Sequence, residues 1–413
     1  MRREGRWTHL ATGFRLGRDR VKQWAHGLIK ELRRTGTKMG TGLGEQVRRW
    51  FLRLGVGWQV AVVRLGEAWV GLAPAQRAKT LAGTTAAVAF CLLALTGGYG
   101  LPAAKPLGGG PRFITYFENS GDAQAPGSFP GLRAHHAVID TIMPLWFNVN
   151  AAGNVVNSRV DAAVSDYART HKIHVEPMFV NLGYRMLTTS SARQRTAANI
   201  SQTVISMGFA GADVDFELLP PTVRTDYNLF IKLLATKMHG AGKVLSVTVF
   251  PKPGVSYGVA GADDYRSLAQ SANYLVLMAY DNHSDSSGPG PVAPIPWVRA
   301  GLLYALKKVP PSKLVLAVGQ YGYNWDTSTG VTHYVSTLGA KLLAKSRAIP
   351  VQWNSGVGEA HYQYGGHIVW FQNTRSLALE LGLVRQYHLR GYALWRLGFE
   401  TPGFWNQVAK NLK

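Results

Sequence analysis

The sequence predicts an α/β chain whose larger part forms a (β/α)8 TIM barrel with a small hairpin-bearing insertion, preceded by a transmembrane helix and a basic helical segment. Three observations lead there. An uncharged run of 25 residues lies between Lys79 and Lys105, short apolar β-branched runs recur every 26–40 residues from Phe113 onward, and helical segments with stop signals separate them. The chain has 413 residues, 46% of them hydrophobic, enough to bury a large core, so wholesale disorder is excluded. Its one cysteine, Cys91, excludes an intrachain disulfide framework, a CxxC pair and a thiolate zinc site.

Residues 1–79 form the first element. They hold seventeen Lys and Arg against five Asp and Glu, a concentrated share of the chain's net charge of +22. Trp7, Trp24, Trp50, Trp58 and Trp69 are interleaved with the basic residues, as in amphipathic helices on an anionic membrane surface. A plain topology-setting tail fits equally well. No nucleic-acid-binding module is present, and no nucleic acid is expected as partner. The second element, 80–101, is long enough to cross a hydrocarbon core about 30 Å thick, and lipid is its expected partner. The basic residues Arg48, Arg49, Arg53, Arg64, Arg77 and Lys79 precede it, so the N-terminus is expected in the cytoplasm and the rest outside. Residues 102–111 read as a linker.

Residues 112–413 are expected to be the barrel. Its strands are placed at 113–117, 139–147, 174–180, 212–216, 244–250, 274–280, 314–318 and 391–395. Runs such as Tyr274-Leu275-Val276-Leu277-Met278 suit strands buried on both faces of a parallel sheet. Between them, 224–239 carries Tyr227, Phe230, Leu234 and Met238 on one helical face and stops at Gly240, while 297–309 stops at Pro310-Pro311. The interval from Leu314 to Gly391 is too long for one helix. Within it 351–353, 361–364, Gly365-Gly366 and 367–371 predict a hairpin, so an insertion is placed at about 327–373.

The chemistry is concentrated in Gly211-Ala212-Asp213-Val214-Asp215-Phe216-Glu217. Alternation on a strand puts Asp213, Asp215 and Glu217 on one face and Val214 and Phe216 on the other. In a barrel the acidic face is the interior. Three carboxylates gathered there cannot all ionise cheaply, so the group should retain a proton near neutrality, which a general acid requires. The histidines are scattered, no HExxH occurs, and no metal or cofactor is expected.

This segment resembles the DGxDxDxE signature of glycoside hydrolase family 18, the chitinase-like barrels. Leu277-Met278-Ala279-Tyr280-Asp281 is similar to the family's M-x-Y-D at the end of strand six. The stretches 287–297, Tyr321-Gly322-Tyr323-Asn324-Trp325 and 391–398 resemble the bacterial spore-cortex-lytic and peptidoglycan N-acetylglucosaminidase subgroup. The likeness spans about 112–405; Ala210 stands where the signature has its first Asp. It implies that Glu217 protonates the glycosidic oxygen while the substrate's own 2-acetamido carbonyl attacks, with retention of configuration. Asp215 would hold the acetamido N–H, Asp213 would share a proton with Asp215, and Tyr280 would bond the acetamido oxygen. Trp395 would floor the −1 sugar site and Met278 would line it. Asn181 and Asp281 are candidate hydroxyl partners, and Tyr321 and Trp325 serve either sugar contact or core packing. The expected partner is an N-acetylated glycan, peptidoglycan or a chitin-like polymer, acted on by a monomer. The alternative class is a non-catalytic glycan-binding barrel.

Overall fold

The computed structural model describes residues 112–121, 127–254 and 260–411. The basic segment 1–79, the anchor 80–101 and the linker 102–111 lie outside the described residues. Among the described residues no helix is long and apolar enough to cross a membrane.

The domain is α/β, built on an 11-stranded sheet that curls on itself and a separate five-stranded antiparallel sheet. The first comprises β1 Arg112–Phe117, β2 Thr141–Pro144, β3 Phe147–Val149, β4 Val155–Val156, β5 His174–Val175, β6 Met178–Asn181, β7 Gly211–Asp215, β8 Val244–Val249, β9 Tyr274–Met278, β10 Leu314–Gly319 and β16 Gly391–Trp395. The second comprises β11 Tyr321–Asp326, β12 Thr332–Ser336, β13 Gln352–Asn354, β14 Glu359–Tyr364 and β15 His367–Phe371. The order in the large sheet is β4-β3-β6-β7-β8-β9-β10-β16-β1-β2-β5, parallel throughout except β3 with β4. Helices Ser190–Ser206, Arg224–Gly240, Ile295–Leu306 and Thr374–Gln386 lie between strands, as the crossovers of a parallel sheet require.

Two expected strands are broken. The strand placed at 139–147 is split into β2 and β3 around Leu145-Trp146, where the Trp146 N–H turns back to the Pro144 carbonyl at 2.8 Å. The strand placed at 174–180 is split at Glu176-Pro177, because proline has no N–H to give a ladder. β2 pairs with β5 and β3 with β6, so halves of the same two interrupted strands lie near both ends of the sheet order, with β4 added outside β3. Contacts across the hollow show the curl directly. The Tyr116 hydroxyl on β1 lies 3.1 Å from the Thr248 hydroxyl on β8, and the Tyr274 hydroxyl on β9 donates to Glu176 at 2.5 Å.

The insertion is larger than expected and begins at Tyr321 rather than near 327. β11 was hidden because its residues are buried on both faces and follow β10 after a single residue, Gln320. The helix Thr337–Ser346 lies between β12 and β13. The hairpin of β14 and β15 turns at Gly365 and Gly366, whose φ angles of 44° and 82° suit the two-residue turn read from the sequence.

Candidate active site

β7 separates its two faces sharply. Phe216, just past its end, stacks on Phe230 of the helix Arg224–Gly240 with ring centroids 5.4 Å apart, and Val214 is fully buried. That apolar contact fixes the strand's rotation, which leaves Asp213 and Asp215 to the interior. Gly211 starts the strand because a Cβ there would come within 2.5 Å of the Val244 carbonyl oxygen. Ala210 sits at the opposite end of the strand from Glu217, its N–H bonded to Val175 and its carbonyl to the Val244 N–H.

Asp213 is wholly buried and accepts from the Ser246 hydroxyl at 2.7 Å and the Thr248 hydroxyl at 2.8 Å. Burial outweighs those bonds and pushes its carboxyl up to about 6. Asp215 is held well above the ordinary carboxylate range, first by burial and then by Glu217, Asp213 and Asp263. Its Oδ1 is buried and has no hydrogen-bond partner among the described residues. Such an atom is costly to desolvate unless something donates to it.

Glu217 lies beyond the strand end and is half-buried. Its backbone is gripped on both sides by Asn181, whose Oδ1 accepts from the Glu217 N–H at 2.8 Å and whose amide donates to the Glu217 carbonyl at 3.0 Å. The same amide donates to Gly183 at 3.1 Å. Asn181 was read as a hydroxyl partner; its amide is instead committed to holding Glu217, so it positions that residue. Burial and then the charge of Asp281 raise the Glu217 carboxyl.

Tyr280 feels the charges of Asp215, Asp281 and Glu217, and Trp395 lies beside it. Their ring centroids are 6.4 Å apart, and Trp395 meets Tyr116 edge-on at 5.1 Å. Met278, 7% exposed, ends β9 just before them. Asp281 adopts a left-handed backbone with φ 60° and accepts from Tyr321 at 2.7 Å and Tyr323 at 3.0 Å. Burial nevertheless raises its carboxyl. Tyr321 is buried with its hydroxyl bound there, so it supports Asp281 and presents no free face to a sugar. Trp325, 4% exposed, gives its indole N–H to the carbonyls of Ser284 and Ser287 and anchors their loop. Of its two readings, core packing holds.

Sequence reasoning missed Ser246, Thr248 and Tyr323. Their signal was alternation: Ser246 and Thr248 are the polar positions of an otherwise apolar strand, and Tyr323 stands two residues from Tyr321. Among the described residues no cluster suited to a metal ion occurs.

Buried carboxylates whose protonation burial favours, on and just past a strand of a curled parallel sheet and close to tyrosine, are groups suited to acid catalysis. The description "Glycosyl hydrolases family 18" matches residues 144–400, and the chain belongs to that family and is a glycosidase. It is 28% identical to the Bacillus subtilis glycosylase YdhD over 63% of this chain and 66% of that one. It is 29% identical to the Bacillus subtilis cortical fragment-lytic enzyme over 54% of each, so it spans about two thirds and about half of these relatives. Among solved structures, a chitinase from Chromobacterium violaceum superposes with TM-score 0.67 at 26% identity, over 73% of this chain and 99% of that one.

Proposed function

We propose that this glycosidase cleaves N-acetylglucosaminyl linkages in peptidoglycan, of cell wall or spore cortex, from within a (β/α)8 barrel, by substrate-assisted retaining catalysis. The observation that carries the reading is the buried, unpartnered Oδ1 of Asp215 beside Glu217. A 2-acetamido N–H is the donor that such an oxygen lacks, and accepting it would turn the acetamido carbonyl toward the anomeric carbon. Glu217, kept protonated by burial and by Asp281, gives its proton to the glycosidic oxygen as the bond to the anomeric carbon breaks. The resulting oxazolinium-like cation is stabilised by Asp215 in a water-poor interior. Asp213 takes part of the shared proton load, Tyr280 bonds the acetamido oxygen, and Trp395 and Met278 line the sugar.

The kinship with a cortical fragment-lytic enzyme favours peptidoglycan as the polymer, and the chitinase likeness makes chitin-type oligosaccharides the second reading. Glu217→Gln tests the mechanism. Release of reducing ends from N-acetylated peptidoglycan should fall by at least about a thousandfold while glycan binding survives. Unchanged release would remove Glu217 from the chemistry.

A further inference from the structure

The two ends of the parallel sheet differ in charge. Because the strands run parallel, their first residues share one end: Arg112 lies beside Gly391, Gly391 beside Val315 and Gly211 beside Val244. Seven connections bring a helix back to that end, at 136–140, 171–173, 207–210, 241–243, 272–273, 307–313 and 387–390. Together they hold six Lys and Arg and one acid, Asp140, which is already paired with Arg112 at 3.2 Å. The last helical turns leading into them add Arg133, Arg169, Lys237 and Arg385. At the far end, Asp215, Glu217 and Asp281 close or follow their strands.

Some of these cations have internal partners. Lys313 donates to the Ala269 and Ala272 carbonyls, Arg390 lies over the Tyr274 ring, and Arg169 is bonded to Asp166. Arg133, Lys172, Lys237, Lys307, Lys308 and Arg385 are exposed and make no ion pair with a described residue. They come from five different connections around the curled sheet. Helix dipoles account for only part of the bias. A cation in a last turn is favourable, but an acid in a first turn is equally so, and besides the N-caps Asp161 and Asp264 only Asp226 takes such a place in a described α-helix. Lys172, Lys307 and Lys308 moreover stand at or beyond the ends of the helices they follow.

We propose that this basic end of the domain docks on an anionic phospholipid surface. Cations spread over an end face match a plane of headgroup phosphates, whereas a single polyanionic strand would be held in a groove. The chain also enters the domain here. β1 begins at Arg112, and ten residues, 102–111, separate it from the uncharged run 80–101, a reach of at most about 35 Å. That run, seated in a bilayer, would keep the basic end within reach of the headgroups. The acids at the far ends of the strands then face away from an anionic surface that would repel them, open to polymer outside.

Lysine acetylation of the full chain reconstituted in vesicles, read by mass spectrometry, tests the proposal. With phosphatidylglycerol as about a third of the lipid, Lys237, Lys307 and Lys308 should react at least about fivefold more slowly than in pure phosphatidylcholine vesicles. Lys341 and Lys345, exposed on the helix Thr337–Ser346 of the insertion, should react equally fast in both. Salt at about 0.5 M should remove the difference. Equal rates in the two kinds of vesicle would overturn the proposal, and so would equal protection of all five lysines, since the domain would then have no preferred end. Protection that survives salt would overturn docking by charge. Protection that appears only when a soluble polyphosphate chain is added would make a polyanionic polymer the partner and overturn the lipid surface.

Discussion

Strands β7 and β11 treat their polar groups in opposite ways. β7 aims Asp213 and Asp215 into the interior, where burial outweighs the hydroxyl bonds to Asp213 and leaves one oxygen of Asp215 unpartnered. Apart from Asp326 at its end, β11 brings neutral side chains whose donors each have an acceptor. Tyr321 and Tyr323 donate to Asp281, Asn324 donates to Tyr364 at 2.9 Å, and the Trp325 indole N–H is bonded to the Ser284–Ser287 loop. The difference separates two tasks. β7 holds acids in a setting that disfavours their charge, and β11 supplies satisfied contacts that hold Asp281 and the Ser284–Ser287 loop still. The two meet at Asp281, whose charge raises the Glu217 carboxyl.

If that division holds, removing charge from β7 should cost far more than removing hydroxyls from β11. Asp215→Asn keeps one oxygen able to accept the acetamido N–H but removes the negative charge that would stabilise a cation. Its kcat on peptide-free glycan strands should fall by about a hundredfold or more. Tyr321→Phe with Tyr323→Phe should cost about tenfold or less and should also move the pH profile. Without the two hydroxyls Asp281 holds its proton more firmly, so its charge weighs less on Glu217. The Glu217 carboxyl then becomes more acidic, and the alkaline limb of kcat/KM moves to lower pH by less than about one unit. A double variant as damaged as Asp215→Asn, or one whose alkaline limb moves upward, would break the comparison.

Both strands differ in how far the sequence disclosed them. β7 was legible because its charged and apolar residues alternate strictly, so the period named the face and the count of carboxylates named the chemistry. β11 was not, since Tyr321, Tyr323 and Trp325 are as plausible in a core as around a sugar until their hydroxyl and indole partners are seen. Asn181 illustrates the same limit. Its position at a strand end was readable, but its hydrogen bonds to the backbone of Glu217 connect residues 36 apart and leave no periodic trace. The breaks at Leu145-Trp146 and Glu176-Pro177 had a local signal in proline, which the apolar runs around them masked.

The smallest expected effect is on stability, and it shows where the division between the two sheets is incomplete. Glu359 belongs to the insertion on β14, yet it is buried and accepts from the N–H groups of Val292, at 2.9 Å, and Ala293. It thereby ties the insertion to the chain that follows Tyr280 and Asp281. Burial pushes its carboxyl up to about 8, and pushes Asp263, near Asp215 and Glu217, up to about 7. Each group holds a proton in the fold at pH values where the unfolded chain has released it. The folded state therefore binds more protons, and stability falls as pH rises from the ordinary carboxylate range through these values. His135 and His361, whose protonation burial discourages, oppose the trend below about pH 6.5, so the clearest window lies above it. The Tm of the full chain should drop by roughly 3–6 °C between pH 6.5 and 8.5. Glu359→Gln should flatten that slope more than Tyr321→Phe does. A Tm that is level or rises across the window would mean that these acids ionise without cost, and the proton-retaining interior on which the catalytic reading depends would lose its support.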